Sequence, residues 1–75
     1  MNILIIEDES LAAERLEKII REIEPSAKVL AKIGSVKESV QWLMHNTADI
    51  LFLDIQLSDG LSFNIFDHIA VSTPV

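Results

Sequence analysis

An α/β fold built on a parallel sheet is predicted for this chain of 75 residues by three observations. Three short apolar runs, of which the first is rich in β-branched residues, are typical of strands. The segments between and after these runs repeat apolar residues at helical spacing. Strands that alternate with helices in this way form parallel pairs with right-handed crossovers, so the predicted order is β-α-β-α-β-α. No linker or internal repeat divides the chain, and a single domain is expected.

The first strand and helix are predicted near the amino terminus. Residues 3–6 form the apolar run Ile-Leu-Ile-Ile, which ends at the acidic residues Glu7, Asp8 and Glu9. Apolar residues then recur at helical spacing over residues 11–23. Pro25 marks the end of that helix, because proline cannot continue it.

The second strand and helix occupy the middle of the chain. Lys28 and Lys32 lie in the apolar run of residues 28–33 and are typical of an edge strand, where charge discourages pairing with other chains. Ser35 and Glu38 form a capping-box pattern that opens the second helix. Trp42 is expected roughly 145° from the buried stripe of that helix. The predicted stripe consists of Val36, Val40, Leu43 and Met44.

The third apolar run covers residues 50–53 and ends at Asp54. A loop is predicted over residues 56–60, followed by a third helix over residues 61–69. Pro74 and Val75 are typical of the entry to another segment.

Composition and charge exclude several classes of site. The chain has no Cys, which excludes disulfides and zinc–thiolate centres. Six Lys and Arg against twelve Asp and Glu give a net charge of −6, a sign that opposes binding to nucleic-acid phosphates and anionic lipid. Residues 38–75 hold five acids and no Lys or Arg, so a metal, a partner or further chain is expected to supply the opposite charge. The sequence contains no targeting signal or membrane span, and a cytoplasmic protein is expected.

Acidic residues follow two of the predicted strands at the point where each strand ends. Glu7 and Asp8 follow the first strand, and Asp54 follows the third. The carboxyl ends of parallel strands share one edge of the sheet, so these carboxylates converge if the two strands are neighbours about 4.8 Å apart. Two carboxylates about 5 Å apart repel by about 3 kcal/mol at an effective dielectric constant of about 20. A bound cation would relieve the repulsion, and oxygen ligands without His or Cys favour Mg²⁺, Mn²⁺ or Ca²⁺.

Helix capping is the alternative explanation for these acids, because Asp and Ser are common N-cap residues. Asp8 or Ser10 could cap the first helix, and Asp59 or Ser62 could cap the third. Capping explains any one of these residues well. It explains two acid-ended strands in one parallel sheet less well, which favours a shared cation site.

Two segments carry a resemblance to a known family. Residues 3–9 have the sequence Ile-Leu-Ile-Ile-Glu-Asp-Glu, and residues 51–60 have Leu-Phe-Leu-Asp-Ile-Gln-Leu-Ser-Asp-Gly. Both segments, and the spacing between them, resemble the receiver domain of bacterial two-component response regulators. The resemblance implies a flavodoxin-like, doubly wound parallel sheet in which the first and third strands are neighbours. It also implies that residues 1–75 are an incomplete receiver domain with strand order 2-1-3, without the family's fourth and fifth strands or an output domain.

The resemblance implies a role for individual residues. Asp54 would be the phosphoacceptor, which takes a phosphoryl group from a phosphohistidine on a sensor histidine kinase. Glu7, Asp8, Asp54 and the backbone carbonyl of Gln56 would hold Mg²⁺. Gly60 would permit a tight turn after the acceptor loop. Such a domain is a phosphoacceptor rather than an enzyme, although family members assist their own phosphorylation and dephosphorylation.

The sequence departs from the family pattern in two ways. Glu7 stands where the family more often has Asp, so its carboxylate reaches one methylene further. The family's Ser or Thr that contacts the phosphoryl group, and the Lys that pairs with it, belong to the missing strands, and neither Lys32 nor Lys37 matches that Lys. The sequence of residues 54–63 further resembles receivers joined to LytTR-type DNA-binding domains. A regulator of transcription that contacts DNA only through its output domain is therefore implied.

Two rival functions are left open by the residues themselves. One is a receiver fragment that keeps the fold without phosphotransfer. The other is a phosphatase of the haloacid dehalogenase type, which also has a nucleophilic Asp after a strand. The phosphatase signature has a second Asp two residues after the nucleophile, where this chain has Gln56. That difference argues against hydrolysis as the main role.

The outer edge of the third strand is a further predicted feature. Residues 50–53 contain no Lys and no Pro, so without a fourth strand they would present an unprotected apolar edge. Residues 1–75 by themselves are therefore not expected to be a stable monomer: either they are part of a longer chain, or they associate through the third strand. His45 and His68 lack the spacing of a metal site and are expected to be solvated helix residues.

Overall fold

The computed structural model describes residues 1–54, 56–57, 59–61 and 64–65. Strands and helices alternate within these ranges as predicted, as far as the third strand. The elements are β1 (Asn2–Ile6), α1 (Ser10–Ile23), β2 (Lys28–Ile33), α2 (Val36–His45), β3 (Ile50–Leu53), β4 (Gln56–Leu57) and β5 (Gly60–Leu61). In none of these ranges does a helix combine the length and the apolar character needed to cross a lipid bilayer.

The main sheet has three parallel strands in the order β2-β1-β3. This order confirms the prediction that the first and third strands are neighbours. Ile6 is paired with Leu53 of β3 on one side and with Ile33 of β2 on the other, so the three strands end at nearly the same level. The residues that follow β1 and β3 are therefore brought to one edge of the sheet.

Alternate side chains of β1 contribute to two hydrophobic cores, one on each face of the sheet. Ile3 and Ile5 pack with Ala13 and Ile20 of α1, while Leu4 and Ile6 pack in the second core. The other buried members of the second core are Ile33, Val36, Leu51, Leu57 and Ile65. Because α1 and α2 cover opposite faces, the fold is the predicted α/β arrangement, the first three strands of a flavodoxin-like sheet.

The start of α2 follows the predicted capping pattern, whereas the start of α1 does not. The Glu38 N–H donates to the Ser35 hydroxyl oxygen at 3.1 Å, which confirms Ser35 as the N-cap. The N-cap of α1 is Glu9, with no side-chain capping bond, so the prediction of Asp8 or Ser10 as its cap is wrong. Asp8 is exposed beyond the end of β1, and Ser10 is already the first helical residue.

The buried face of α2 differs from the predicted stripe. Met44 is 62% exposed, while Trp42 packs against the second core. Ser39, which the predicted stripe does not include, is completely buried on the inner face of α2. Its hydroxyl donates to the Ser35 carbonyl at 2.7 Å, which satisfies the buried polar group.

The segment after β3 also differs from the prediction of a loop followed by a third helix. Strands β4 and β5 form a short antiparallel pair, in which Gln56 is opposite Leu61 and Leu57 is opposite Gly60. Leu61 therefore belongs to a strand. Helical conformation occurs at Asn64 and Ile65, and the other residues predicted for the third helix, 62–63 and 66–69, lie outside the described residues.

The two edges of the three-stranded sheet have different character. On β2, Lys32 donates from Nζ to the Glu17 carboxylate at 2.7 Å, so a charged pair lies beside that edge. On β3 the side chains of Ile50 and Phe52 line an apolar groove of about 300 Å³ shared with α1. Self-association through β3 stays a prediction.

Candidate metal centre

Two backbone hydrogen bonds fix the acidic residues at the carboxyl edge of the sheet. The Glu7 N–H donates to the Ile33 carbonyl of β2, and the Asp54 N–H donates to the Ile6 carbonyl of β1, each at 2.8 Å. Each bond extends the hydrogen-bonding pattern of the sheet by one residue beyond the end of the strand. The positions of Glu7 and Asp54 are therefore set by the sheet itself and not by a loose loop.

The carboxylates of Glu7, Asp8 and Asp54 form one cluster. Each offers an oxygen, and these oxygens all lie within 4.8 Å of one another. Glu7 and Asp54 are half-buried, whereas Asp8 is exposed. The convergence expected from acid-ended neighbouring strands is thus present in the structure.

The surroundings of Glu7 disfavour its charged form. Partial burial raises the pKa of the Glu7 carboxyl above its usual value, and the nearby carboxyl groups of Asp54 and Asp8 raise it further. The Glu9 N–H donates to Glu7 Oε1 at 3.1 Å and acts in the opposite direction, but it does not cancel the rise. A proton or a cation at this position would relieve the repulsion.

Glu7 lies between two open clefts. The first, of about 300 Å³, is lined by Asp8, Ser10, Lys32 and Gly34 as well as by Glu7. The second, of about 190 Å³, is lined by Asp54 as well as by Glu7. Hence both half-buried carboxylates can be reached by a small ion or a phosphoryl group.

Lys32 does not supply the opposite charge for the cluster, although it lines the first cleft. Its ammonium group donates to Glu17, which also accepts from Arg21 at 2.8 Å. The Lys32 hydrogen bond and the neighbouring Arg21 lower the pKa of Glu17. The cation of Lys32 is thus held by α1, in agreement with the view that it does not match the family's phosphoryl-pairing lysine.

Gly34 allows the close approach of β2 to the cluster. A Cβ atom added at this position would lie 3.2 Å from Asp8 Cα and 3.6 Å from the Glu7 carbonyl oxygen. The first of these distances is shorter than an ordinary van der Waals contact, so a side chain at residue 34 would require the Asp8 backbone to give way by a few tenths of an ångström. Residue 34 therefore influences the position of Asp8.

Asp59 caps α2 rather than a third helix. Its Oδ1 accepts from the Val36 N–H at 2.6 Å, and its Oδ2 accepts from the Lys37 N–H at 3.1 Å. These two bonds lower the pKa of Asp59 below its usual value. The expectation that Asp59 caps the following helix is therefore wrong, and Ser62, the other candidate, lies outside the described residues. Asp is a residue type typical of helix caps, which the sequence shows. The helix that Asp59 caps, however, begins 23 positions earlier in the chain.

The remaining predicted site residues have different outcomes. Gln56 is the first residue of β4, two positions after Asp54, and its side chain is outside the description. Gly60 has a φ of +149°, a backbone conformation that residues with a side chain rarely adopt, as expected for the turn. His45 is exposed at the end of α2, and His68 lies outside the described residues.

The chemistry of the donor set fits a hard divalent cation. Three carboxylates converge at a solvent-accessible edge, and neither His nor a thiolate is among them. Mg²⁺ usually takes one or two protein carboxylates and keeps several waters, which leaves positions for phosphoryl oxygens. These residues therefore fit Mg²⁺ better than a softer metal.

Comparison with known proteins agrees with this architecture. The chain is 35% identical over 69 residues to the sensory transduction protein LytT of Enterococcus faecalis, which covers 92% of the chain and 28% of the relative. It is 37% identical over 65 residues to LytT of Bacillus anthracis, with 87% and 26% covered. It is 39% identical over 59 residues to the transcriptional regulatory protein LytR of Staphylococcus aureus, with 79% and 24% covered. No family model matches the chain, and no solved structure matches it.

These relatives support the assignment of the chain to the receiver domains of LytT- and LytR-type response regulators. It spans about a quarter of the length of the curated relatives that it matches. The resemblance to receiver domains implies a first strand that lies between the second and the third, and this order is the one found here. The similarity agrees with the resemblance seen in the sequence, and the carboxyl edge of the sheet is the part of the molecule to which we assign a function.

Proposed function

We propose that this chain is the phosphoacceptor part of a response regulator, with Asp54 as the acceptor. The observation that carries the proposal is the cluster of Glu7, Asp8 and Asp54, whose oxygens lie within 4.8 Å of one another at the carboxyl edge of the sheet. Asp54 is half-buried and lies directly after β3, with its carboxylate beside an open cleft. It is therefore both positioned by the sheet and accessible to a phosphodonor.

Glu7, Asp8, Asp54 and the backbone carbonyl of Gln56 are the residues that would hold Mg²⁺. When bound, Mg²⁺ supplies positive charge that neutralises phosphoryl oxygens during transfer. Glu7 is the residue most affected by its neighbours, since burial and the other two carboxylates raise its pKa. The carboxylates of the cluster therefore repel one another, and this repulsion favours the binding of a cation.

The proposed reaction is a displacement at phosphorus. A carboxylate oxygen of Asp54 forms a bond to the phosphorus of a phosphohistidine, and the N–P bond breaks. The electron pair of that bond returns to the imidazole, and an aspartyl phosphate results. The role of the receiver is positioning and charge neutralisation, because little other covalent chemistry is required of the protein in phosphoryl transfer.

The partners follow from the same proposal. A sensor histidine kinase would be the phosphodonor, and an output domain elsewhere in the protein would contact DNA. The net charge of −6 supports the view that the receiver itself does not bind DNA. The chain would then be a phosphoacceptor that assists its own phosphorylation, within a longer regulator of transcription, and residues 1–75 would be the first part of its receiver.

Phosphorylation by a small donor tests the proposal. The intact protein is incubated with acetyl phosphate and Mg²⁺, and its mass is then measured. Wild type should gain one phosphoryl group, and Asp54→Asn should gain none. Asp49→Asn is the matched control, because Asp49 accepts from the Asn2 N–H at 2.6 Å at the opposite edge of the sheet. This control should be labelled as well as wild type.

Other outcomes would identify the rival functions. Repeated consumption of acetyl phosphate without a retained label would indicate an Asp-nucleophile phosphatase. Absence of both labelling and donor consumption, in a protein whose circular dichroism is that of a folded α/β domain, would indicate a receiver that does not transfer phosphate. Labelling of Asp54→Asn would move the acceptor to another residue.

A further inference from the structure

The segment that follows Asp54 is attached to the start of α2. Asp59 lies five residues after the proposed acceptor, and its two carboxylate oxygens accept from the Val36 and Lys37 N–H groups. These groups lack partners within the helix, because the first N–H groups of any helix have no preceding carbonyl to bond. Asp59 is exposed, so the contact is a tie across the surface between two distant parts of the chain.

The same segment is anchored at two further points. Leu57 of β4 is 4% exposed and packs in the second core, to which Val36 also belongs. At the other end of the segment, the Asp54 N–H is fixed to the Ile6 carbonyl at 2.8 Å. Gln56 therefore lies on a short stretch of chain that is held by the sheet on one side and by α2 on the other.

The conformation at Gly60 adds to this restraint. Its φ of +149° lets the chain reverse directly after Asp59, and a Cβ atom there would lie 3.2 Å from Asn64 Nδ2. The reversal places Gly60 opposite Leu57 in the β4–β5 pair. Hence the position of β4 depends on the contact that Asp59, in the turn between β4 and β5, makes with α2.

We propose that Asp59 is a positioning residue for the metal site: its tie to the start of α2 holds β4 so that the backbone of Gln56 can serve the cation bound by Glu7, Asp8 and Asp54. This inference rests on the proposed function, since it assigns Gln56 to the same Mg²⁺ site. It adds a residue that lies outside the carboxylate cluster and that touches neither the ion nor the phosphoryl group.

The test is a Mg²⁺ titration of the intact protein, followed by amide NMR shifts, for wild type, Asp59→Asn, Asp59→Ala and Asp49→Asn. Residues that orient metal ligands typically change affinity by about 10- to 100-fold, and for this exposed tie a loss of about tenfold is expected in Asp59→Ala. Asp59→Asn keeps one oxygen acceptor and should lose less. Asp49→Asn removes the same charge at the opposite edge of the sheet and should bind Mg²⁺ like wild type.

The pair of Asp59 variants separates position from charge. Both remove one negative charge, so a purely electrostatic contribution weakens Mg²⁺ binding equally in the two. A larger loss in Asp59→Ala than in Asp59→Asn supports the tie, whereas equal losses overturn it.

Hydrogen exchange supplies a readout that a merely structural cap would not change. If the tie and the metal site are coupled, Mg²⁺ should slow exchange at the Val36 and Lys37 N–H groups, because coupling between two sites acts in both directions. Exchange that is identical with and without Mg²⁺ overturns the inference. The proposed function fails separately, through the absence of labelling at Asp54 by acetyl phosphate. A wild type without saturable Mg²⁺ binding would overturn the inference as well.

Discussion

The carboxylate cluster and the Asp59 tie use the same functional group in opposite surroundings. In the cluster, Glu7 faces two other carboxylates, and its pKa is raised by burial and by those neighbours. At the tie, Asp59 faces two backbone N–H groups, and its pKa is lowered by their hydrogen bonds. The difference shows that an acid directly after a strand or in a turn has no fixed role. The role depends on whether its oxygens meet other acids or unpaired donors.

This contrast separates carboxylates that serve function from a carboxylate that serves the fold. Carboxylates that face each other are left with a repulsion that an added cation can relieve, which suits a binding site. A carboxylate that accepts two N–H groups is already satisfied and serves the fold. Substitutions at the cluster should therefore act on Mg²⁺ binding directly, whereas substitutions at Asp59 should lower the stability of the start of α2 and reach Mg²⁺ binding only through the position of Gln56.

The largest expected effect is on Mg²⁺ binding in Asp54→Ala. Removing one of three converging carboxylates should weaken binding by more than about tenfold, because both a ligand and a charge are lost. A Mg²⁺ titration of the intact protein followed by Trp42 fluorescence measures this, since Trp42 packs against the second core. Unchanged affinity in Asp54→Ala would mean that the site has been assigned to the wrong residues.

A second effect concerns the other cap of α2. Ser35→Ala removes the oxygen that accepts from the Glu38 N–H, and the free energy of unfolding should fall by about 1 kcal/mol. Urea unfolding followed by circular dichroism measures the change. Thr at the same position keeps the acceptor and should recover most of the loss. An Ala variant as stable as wild type would show that Asp59 alone is sufficient to cap the helix.

A third effect has the opposite sign. Glu7→Gln removes the like charge beside Asp54 and Asp8, and without Mg²⁺ the protein should become more stable by about 0.5 kcal/mol, as like charges on neighbouring strands destabilise a sheet. With saturating Mg²⁺ the order should reverse, because the variant has lost a ligand. Urea unfolding with and without Mg²⁺ would show the crossover, and parallel behaviour in both conditions would contradict the interpretation of the cluster.

The smallest effects are in the dependence of stability on pH without Mg²⁺. The folded pKa of Glu7 is raised above 4.5, so its carboxyl destabilises the fold as the pH rises from 4.5 through the raised pKa. The folded pKa of Asp59 is lowered below 3.8, so its stabilising contribution is present above 3.8 and is lost as the pH falls through the lowered pKa. Relative to wild type, Glu7→Gln should therefore flatten the profile above pH 4.5, and Asp59→Asn should flatten it below pH 3.8. Profiles that change in the same region for both variants would remove the contrast between the two acids.

Much of the fold and of the cluster follows from the sequence because it depends on local patterns. The apolar runs define the three strands, and Ser35 with Glu38 defines the start of α2. The acids that end the first and third runs converge because parallel strands place their carboxyl ends at one edge. The LytT and LytR relatives agree with this assignment of the family.

Only the tertiary structure determines the hydrogen-bond partners and the burial of the other polar residues. Asp59 pairs with α2 rather than with the helix predicted after it, because β4 and β5 turn the chain back toward Val36. Ser39 lies in the core and Met44 does not, because the orientation of α2 is set by its contact with the sheet. Hydrogen bonds between residues 23 positions apart leave no periodic signal in a sequence, since they exist only after packing has brought a free N–H and a carboxylate together.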